Sequence, residues 1–76
     1  MPYTTIIVQR PSGKPAVGLR VSLGIDSGGV TDSVRTDSAG VAVINHPATG
    51  NATVYIDGSA ISRVRVPATQ HVVTID

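Results

Sequence analysis

The sequence predicts an all-β fold: a seven-stranded antiparallel Greek-key sandwich forming a single domain over residues 1–76. Three observations point there. Phe, Trp and Cys are absent and only two Tyr occur, so the core is aliphatic and rich in β-branched residues, whose stiff χ1 favours strands. Val17, Leu19, Val21, Leu23 and Ile25 alternate with Gly18, Arg20, Ser22 and Gly24, the period of a strand with one buried face. Turn residues punctuate the chain at intervals of about 8–12 residues, and no window keeps a helical i, i+3, i+4, i+7 apolar stripe free of Gly or Pro. Glu is absent and Lys14 is the sole Lys, so the usual helix-forming surface residues are missing as well.

The elements follow in order. Residues 3–8 are apolar and β-branched, a first strand stopped by the turn residues Pro11, Gly13 and Pro15. The alternating run from Val17 to Ile25 is the second. Asp26-Ser27-Gly28-Gly29 breaks it, and residues 30–36 resume as a short edge-type strand with Val34 as its main apolar residue. Asp37-Ser38-Ala39-Gly40 is a tight turn, because Asp can bond its own backbone and Gly can take positive φ. Val41-Ala42-Val43-Ile44 is the fourth strand and residues 51–56 the fifth, with Ala52, Val54 and Ile56 on one face. Asp57-Gly58 is a hairpin signal. In the sixth strand Val64 and Val66 face one way and Arg63 and Arg65 the other, and after Pro67-Ala68-Thr69 the chain closes with a strand over residues 71–75.

A domain of 76 residues buries only roughly 60% of the surface its unfolded chain exposes. Disulfides, a metal or self-association usually offset so thin a core; without Cys or a zinc-type His/Cys cluster, tight packing and self-association remain. A net charge of +1 is too small to imply a nucleic-acid or anionic-membrane surface, which needs a clustered basic excess, and neither a nucleic-acid partner nor membrane insertion is expected. No apolar run approaches the ~20 residues that span a bilayer, and Met1-Pro2-Tyr3 opens into a strand pattern without a signal peptide, so the chain reads as soluble. The compartment stays open, an excised module of an extracellular protein included.

The stretch Gly13, Pro15, Gly18, Val21 and Leu23, then Thr36, Asp37 and Gly40, with Asp57-Gly58 downstream, resembles the transthyretin-like, carboxypeptidase-regulatory-like group of domains. The resemblance spans most of the chain and rests on turn glycines and alternating apolar residues. It implies an immunoglobulin-like, prealbumin-type sandwich and a non-catalytic accessory role in stiffening, spacing or docking larger proteins. Some relatives hydrolyse hydroxyisourate and end in Tyr-Arg-Gly-Ser, whereas this chain ends Val73-Thr74-Ile75-Asp76. Pilin-type relatives join a Lys on the first strand to an Asn on the last; here Lys14 lies in a turn and the last strand has no Asn.

Catalytic and metal constellations are weak. His46 lies in a Pro-containing loop and His71 at the start of the last strand, without His-x-x-x-His spacing, and both read as exposed polar residues. No Gly-x-Ser-x-Gly marks a nucleophile. Asp26, Asp32 and Asp37 flank the third strand, but their spacing is not that of an EF-hand and turn formation accounts for them. Asn51-Ala52-Thr53 fits a glycosylation sequon, which matters only in a eukaryotic secreted context. The expectation is no enzyme and no cofactor.

Two surfaces are candidates for interaction. Ile6, Ile7 and Val8 run consecutively, as do Val72 and Val73, so one residue of each set, Ile7 and Val72, must point away from the core or lie under a loop. Arg63 and Arg65 share a face that Arg20 joins if its strand is adjacent, and Arg is a common interface residue, against the default of a solvated outer face. The leading functional expectation is a structural or protein-interaction module, whose partners are other protein domains or copies of itself. A carbohydrate- or small-ligand-binding module is the alternative, limited by the scarcity of aromatic platforms, and a small transthyretin-like hydrolase the third.

Overall fold

The computed structural model describes residues 2–75, so Met1 and Asp76, which bound the sequence reading, lie outside the described residues. The fold is all-β, with no helix among the described residues and eight strands: β1 (Tyr3–Gln9), β2 (Arg20–Ile25), β3 (Gly29–Val30), β4 (Val34–Arg35), β5 (Val41–Asn45), β6 (Gly50–Ile56), β7 (Ser59–Val66) and β8 (His71–Thr74). They form two sheets. One is ordered β5-β1-β8; the other is ordered β3-β2-β6-β7, with β4 also paired to β2. A single aliphatic cluster lies between them, Ile6, Val8, Ile44 and Val73 from the first sheet meeting Val21, Leu23, Val54 and Ile56 from the second. Burial alternates along β1, β2 and β6, as a pleated strand with one covered face requires.

Three sequence expectations are corrected. The strand count is eight rather than seven, because the expected strand over residues 30–36 is two short ones. Val30 pairs with Gly24 and Val34 with Val21, so four steps on one side face three on the other: one extra residue, a bulge. Thr31 compensates within it, its Oγ1 accepting the Leu23 N–H at 3.0 Å while its own N–H goes to the Leu23 carbonyl at 2.8 Å. Secondly, β2 begins at Arg20 rather than Val17. The segment before it is held instead by Thr36, which accepts the Gly18 N–H on its carbonyl and the Leu19 N–H on its Oγ1, and this leaves Val17 exposed. Thirdly, the pairing is not wholly antiparallel: β1 and β8, the first and last strands, run parallel, with Ile7 beside Val72. Parallel neighbours need a long connection rather than a hairpin, and here nearly the whole chain provides it.

The expected turns form as the residue types demand. Asp57 and Gly58 both have positive φ, 52° and 87°, which makes the two-residue connection between Ile56 and Ser59 a type I′ hairpin. In the Asp37–Gly40 turn, Asp37 Oδ1 accepts the N–H groups of Ala39 and Val41, and Gly40, at φ 76°, lies so close under the Val8 carbonyl that a Cβ would collide with it. The Val66–Pro67 peptide bond is cis.

Candidate functional site

The outer face of the β5-β1-β8 sheet brings the consecutive apolar residues of three strands together. Ile6 and Val8 point into the core, so Ile7 must point out, and the register sets it between Val41 of β5 and Val72 of β8. One step along, Thr5 lies beside Val43; at the end, Tyr3 lies beside Asn45. Tyr3, Val43 and Val72 are exposed by 54%, 47% and 45%, while Ile7 and Val41 are half-buried by their neighbours. The face measures roughly 10 by 13 Å from strand spacing and rise. It carries no charged side chain among its strand residues, Gln9 and Thr74 completing it at the far end. Ile7 and Val72, expected from sequence to be outward, are therefore side by side. Tyr3, Val41 and Val43 were not foreseen as part of this surface. The signal for the last two was present, since four consecutive apolar residues in β5 must divide between two faces.

The arginines are placed differently. Arg63 and Arg65 lie on the outer face of the other sheet, opposite Thr53 and Asn51 of β6. Arg63 is engaged there: Nη2 donates to Asp26 Oδ2 at 2.9 Å, and Nη1 donates to Thr53 Oγ1 at 2.8 Å and to Asp26 Oδ1 at 3.4 Å. The hydrogen bonds and charge of Asp26 raise the pKa of this guanidinium above the ordinary arginine value. Arg20 faces the same side but at the other end of β2, where its N–H meets Asp57 Oδ1. Gly24 is the β2 residue level with Thr53 and Arg63, so Arg20 is four residues, roughly 13 Å, further along and two strands away. The three arginines do not converge on one anion site. Tyr55 lies across Gly24 between them, filling the space a Cβ would occupy.

His46 overturns its sequence reading. It is fully buried rather than exposed, with Nε2 2.8 Å from Thr4 Oγ1 and Nδ1 2.7 Å from the Ala48 carbonyl. A carbonyl only accepts, so Nδ1 carries the proton; in the neutral ring Nε2 then accepts from the Thr4 hydroxyl. Thr4 Oγ1 in turn accepts the Ala68 N–H at 3.2 Å. This chain of bonds ties the loops after β5 and β7 to the first strand. His71 is half-buried and bonded to Ser62 Oγ at 3.2 Å, joining β8 to β7 across the sheets. Asp26 is occupied by Arg63 and Asp37 by its own turn, so the three carboxylates weighed for calcium do not converge. Among the described residues no group of three His, Asp or Glu gathers. No helix among them is long and apolar enough to cross a membrane. Compared with protein-family models and with curated proteins, the chain matches none.

Proposed function

We propose that this chain is a non-catalytic structural or protein-interaction module, an accessory domain of a larger or oligomeric surface assembly, built as a Greek-key sandwich of the immunoglobulin-like, prealbumin type. The observation that carries this reading is the uncharged apolar face made by Tyr3, Ile7, Val41, Val43 and Val72. Water contact with such a face is unfavourable by roughly 25 cal/mol per Å² of apolar area, and a protein partner that covers it recovers that free energy. The capped Asp37–Gly40 turn and the Asp57-Gly58 hairpin support the kinship with transthyretin-like and carboxypeptidase-regulatory-like domains. The partner is another protein domain or a copy of this chain.

Sedimentation equilibrium on the purified chain, up to high micromolar concentration, tests the second of these partners. A mass that rises above 7.8 kDa with concentration and returns to it in the exposed-position double variant Val43→Lys/Val72→Lys supports self-pairing through this face. A single species at every concentration removes self-pairing. Turnover of ester or ureide substrates by the same preparation, lost on one point substitution, would overturn the non-catalytic reading altogether.

A further inference from the structure

A second surface lies at the free edge of β5. Among the described residues this strand pairs with β1 alone. Val8 donates its N–H to the Gly40 carbonyl and His46 donates its own to the Pro2 carbonyl. By the alternation of an antiparallel ladder, Ala42 and Ile44 therefore turn their backbone groups to β1, and Val41, Val43 and Asn45 turn theirs outward. Asp37 closes the Val41 position, bonding the Val41 carbonyl through its N–H and the Val41 N–H through its carboxylate. Val43 and Asn45 have no backbone partner on that side among the described residues. Two rungs of a ladder are thus open.

Beside this edge, between β5 and the β3–β4 segment, is a cleft of about 450 Å³. Its apolar walls come from Ile25, Val30, Val34 and Ile44, and Val30 is 70% exposed. Asp32 is its one charged lining residue, and that carboxylate has no ion-pair partner among the described residues. We propose that the cleft takes an extended peptide segment of a partner protein, which joins β5 as an added strand, sets alternate apolar side chains against Val30 and Val34, and brings a Lys or Arg to Asp32.

The open backbone groups select the occupant. A small apolar ligand fills the walls but leaves the amides and carbonyls of Val43 and Asn45 unpaired, whereas a peptide backbone satisfies them and supplies side chains at the two-residue spacing the walls require. Charge selects against a second copy pairing edge to edge, since that places two Asp32 carboxylates near the junction with no cation lining either cleft. The edge shares Val43 with the outer face of the sheet: its side chain belongs to that face and its outward backbone groups to the edge, so the two surfaces adjoin.

The test is selection from a phage-displayed library of random decapeptides on the immobilised chain, followed by titration of the recovered peptides into ¹⁵N-labelled protein. The expected result is enrichment of sequences with alternating apolar residues beside Lys or Arg, with shifts and slowed hydrogen exchange at the amides of Val43 and Asn45 and shifts at Val30 and Val34. Val43→Pro removes an outward N–H without touching the β1 ladder and lowers affinity about fivefold; Asp32→Asn lowers it about threefold. The recovered peptide is N-methylated in turn on the amides of each edge; on the unmodified chain one of the two loses binding and the other keeps it. No enrichment, shifts confined to Ile7 and Val72, or peptides that bind as well as their parent whichever of the two edges is N-methylated would each overturn the proposal.

Discussion

Replacing Thr4 by Val isolates the buried hydrogen-bond chain at nearly constant volume. Thr4 is completely buried, and its hydroxyl is both donor to His46 Nε2 at 2.8 Å and acceptor of the Ala68 N–H at 3.2 Å. Val removes both bonds and leaves two polar groups behind. The His46 nitrogen is beyond the reach of solvent and bears the full desolvation cost, about 1–3 kcal/mol, while the Ala68 N–H lies at a half-exposed residue and costs about 1 kcal/mol. The expected loss is about 2–4 kcal/mol. A chain of 76 residues has a total stability of about 4–11 kcal/mol at typical values per residue, so this is a large part of it. At about 4–8 °C per kcal/mol, Tm falls by roughly 10–30 °C. Thr4→Ser keeps the hydroxyl and costs only about 1 kcal/mol for the lost methyl. Urea titration followed by circular dichroism reads both variants. A Thr4→Val midpoint within experimental error of wild type, at unchanged slope, would show that the Thr4–His46 bond contributes nothing and that the loop after β5 is held by other means.

Val21→Asp should abolish cooperative unfolding, since Val21 is fully buried between Val34 and Ile56 and an unpaired carboxylate there costs several kcal/mol; a melt near that of wild type would place this face of β2 in solvent. Gly40→Ala combines a left-handed backbone with a collision at the Val8 carbonyl and should cost about 2–4 kcal/mol by denaturant titration; a neutral result would mean that the turn relaxes away from β1. Arg63→Gln should leave Tm unchanged at both low and high salt, because its ion pair with Asp26 is solvent-exposed on both sides. A large drop confined to low salt would show the pair to be a structural clasp between the sheet edge and the loop after β2.

What was legible in the sequence was local. Val21, Leu23 and Ile25 show the buried face of β2 by spacing alone, and Asp57-Gly58 marks the β6–β7 hairpin because few residues accept two successive positive φ angles. Ile6-Ile7-Val8 and Val72-Val73 likewise announce outward apolar positions. Long-range pairing was not legible. Nothing in residues 3–9 or 71–74 specifies that these strands run parallel, since both read as apolar strands in either direction. The bulge between β3 and β4 depends on one Thr hydroxyl reaching the Leu23 amide, a contact without a signature among the many Thr of the chain. His46 was misplaced because a His beside Pro in a loop reads as solvated; its burial requires Thr4, forty-two positions away, to offer a hydroxyl. The Arg surface failed as a cluster for a related reason: facing the same side of a sheet is a matter of parity, but distance within that face depends on register.

The parallel pairing of β1 and β8 has a mechanical consequence. Tyr3 opens β1 at one end of the sheet, and Thr74 closes β8 beside Gln9 at the other, with the Ile75 N–H on the Gln9 carbonyl at 2.8 Å. Tension applied at the outer ends of these two strands pulls them past one another along their own axes. The rungs between Ile6 and Gln9 on one side and His71 and Thr74 on the other are then strained together rather than opened one at a time, as they would be in a hairpin pulled apart from its mouth. The short β1–β8 ladder, four register pairs long, is thus oriented as a shear clamp against stretching of the chain.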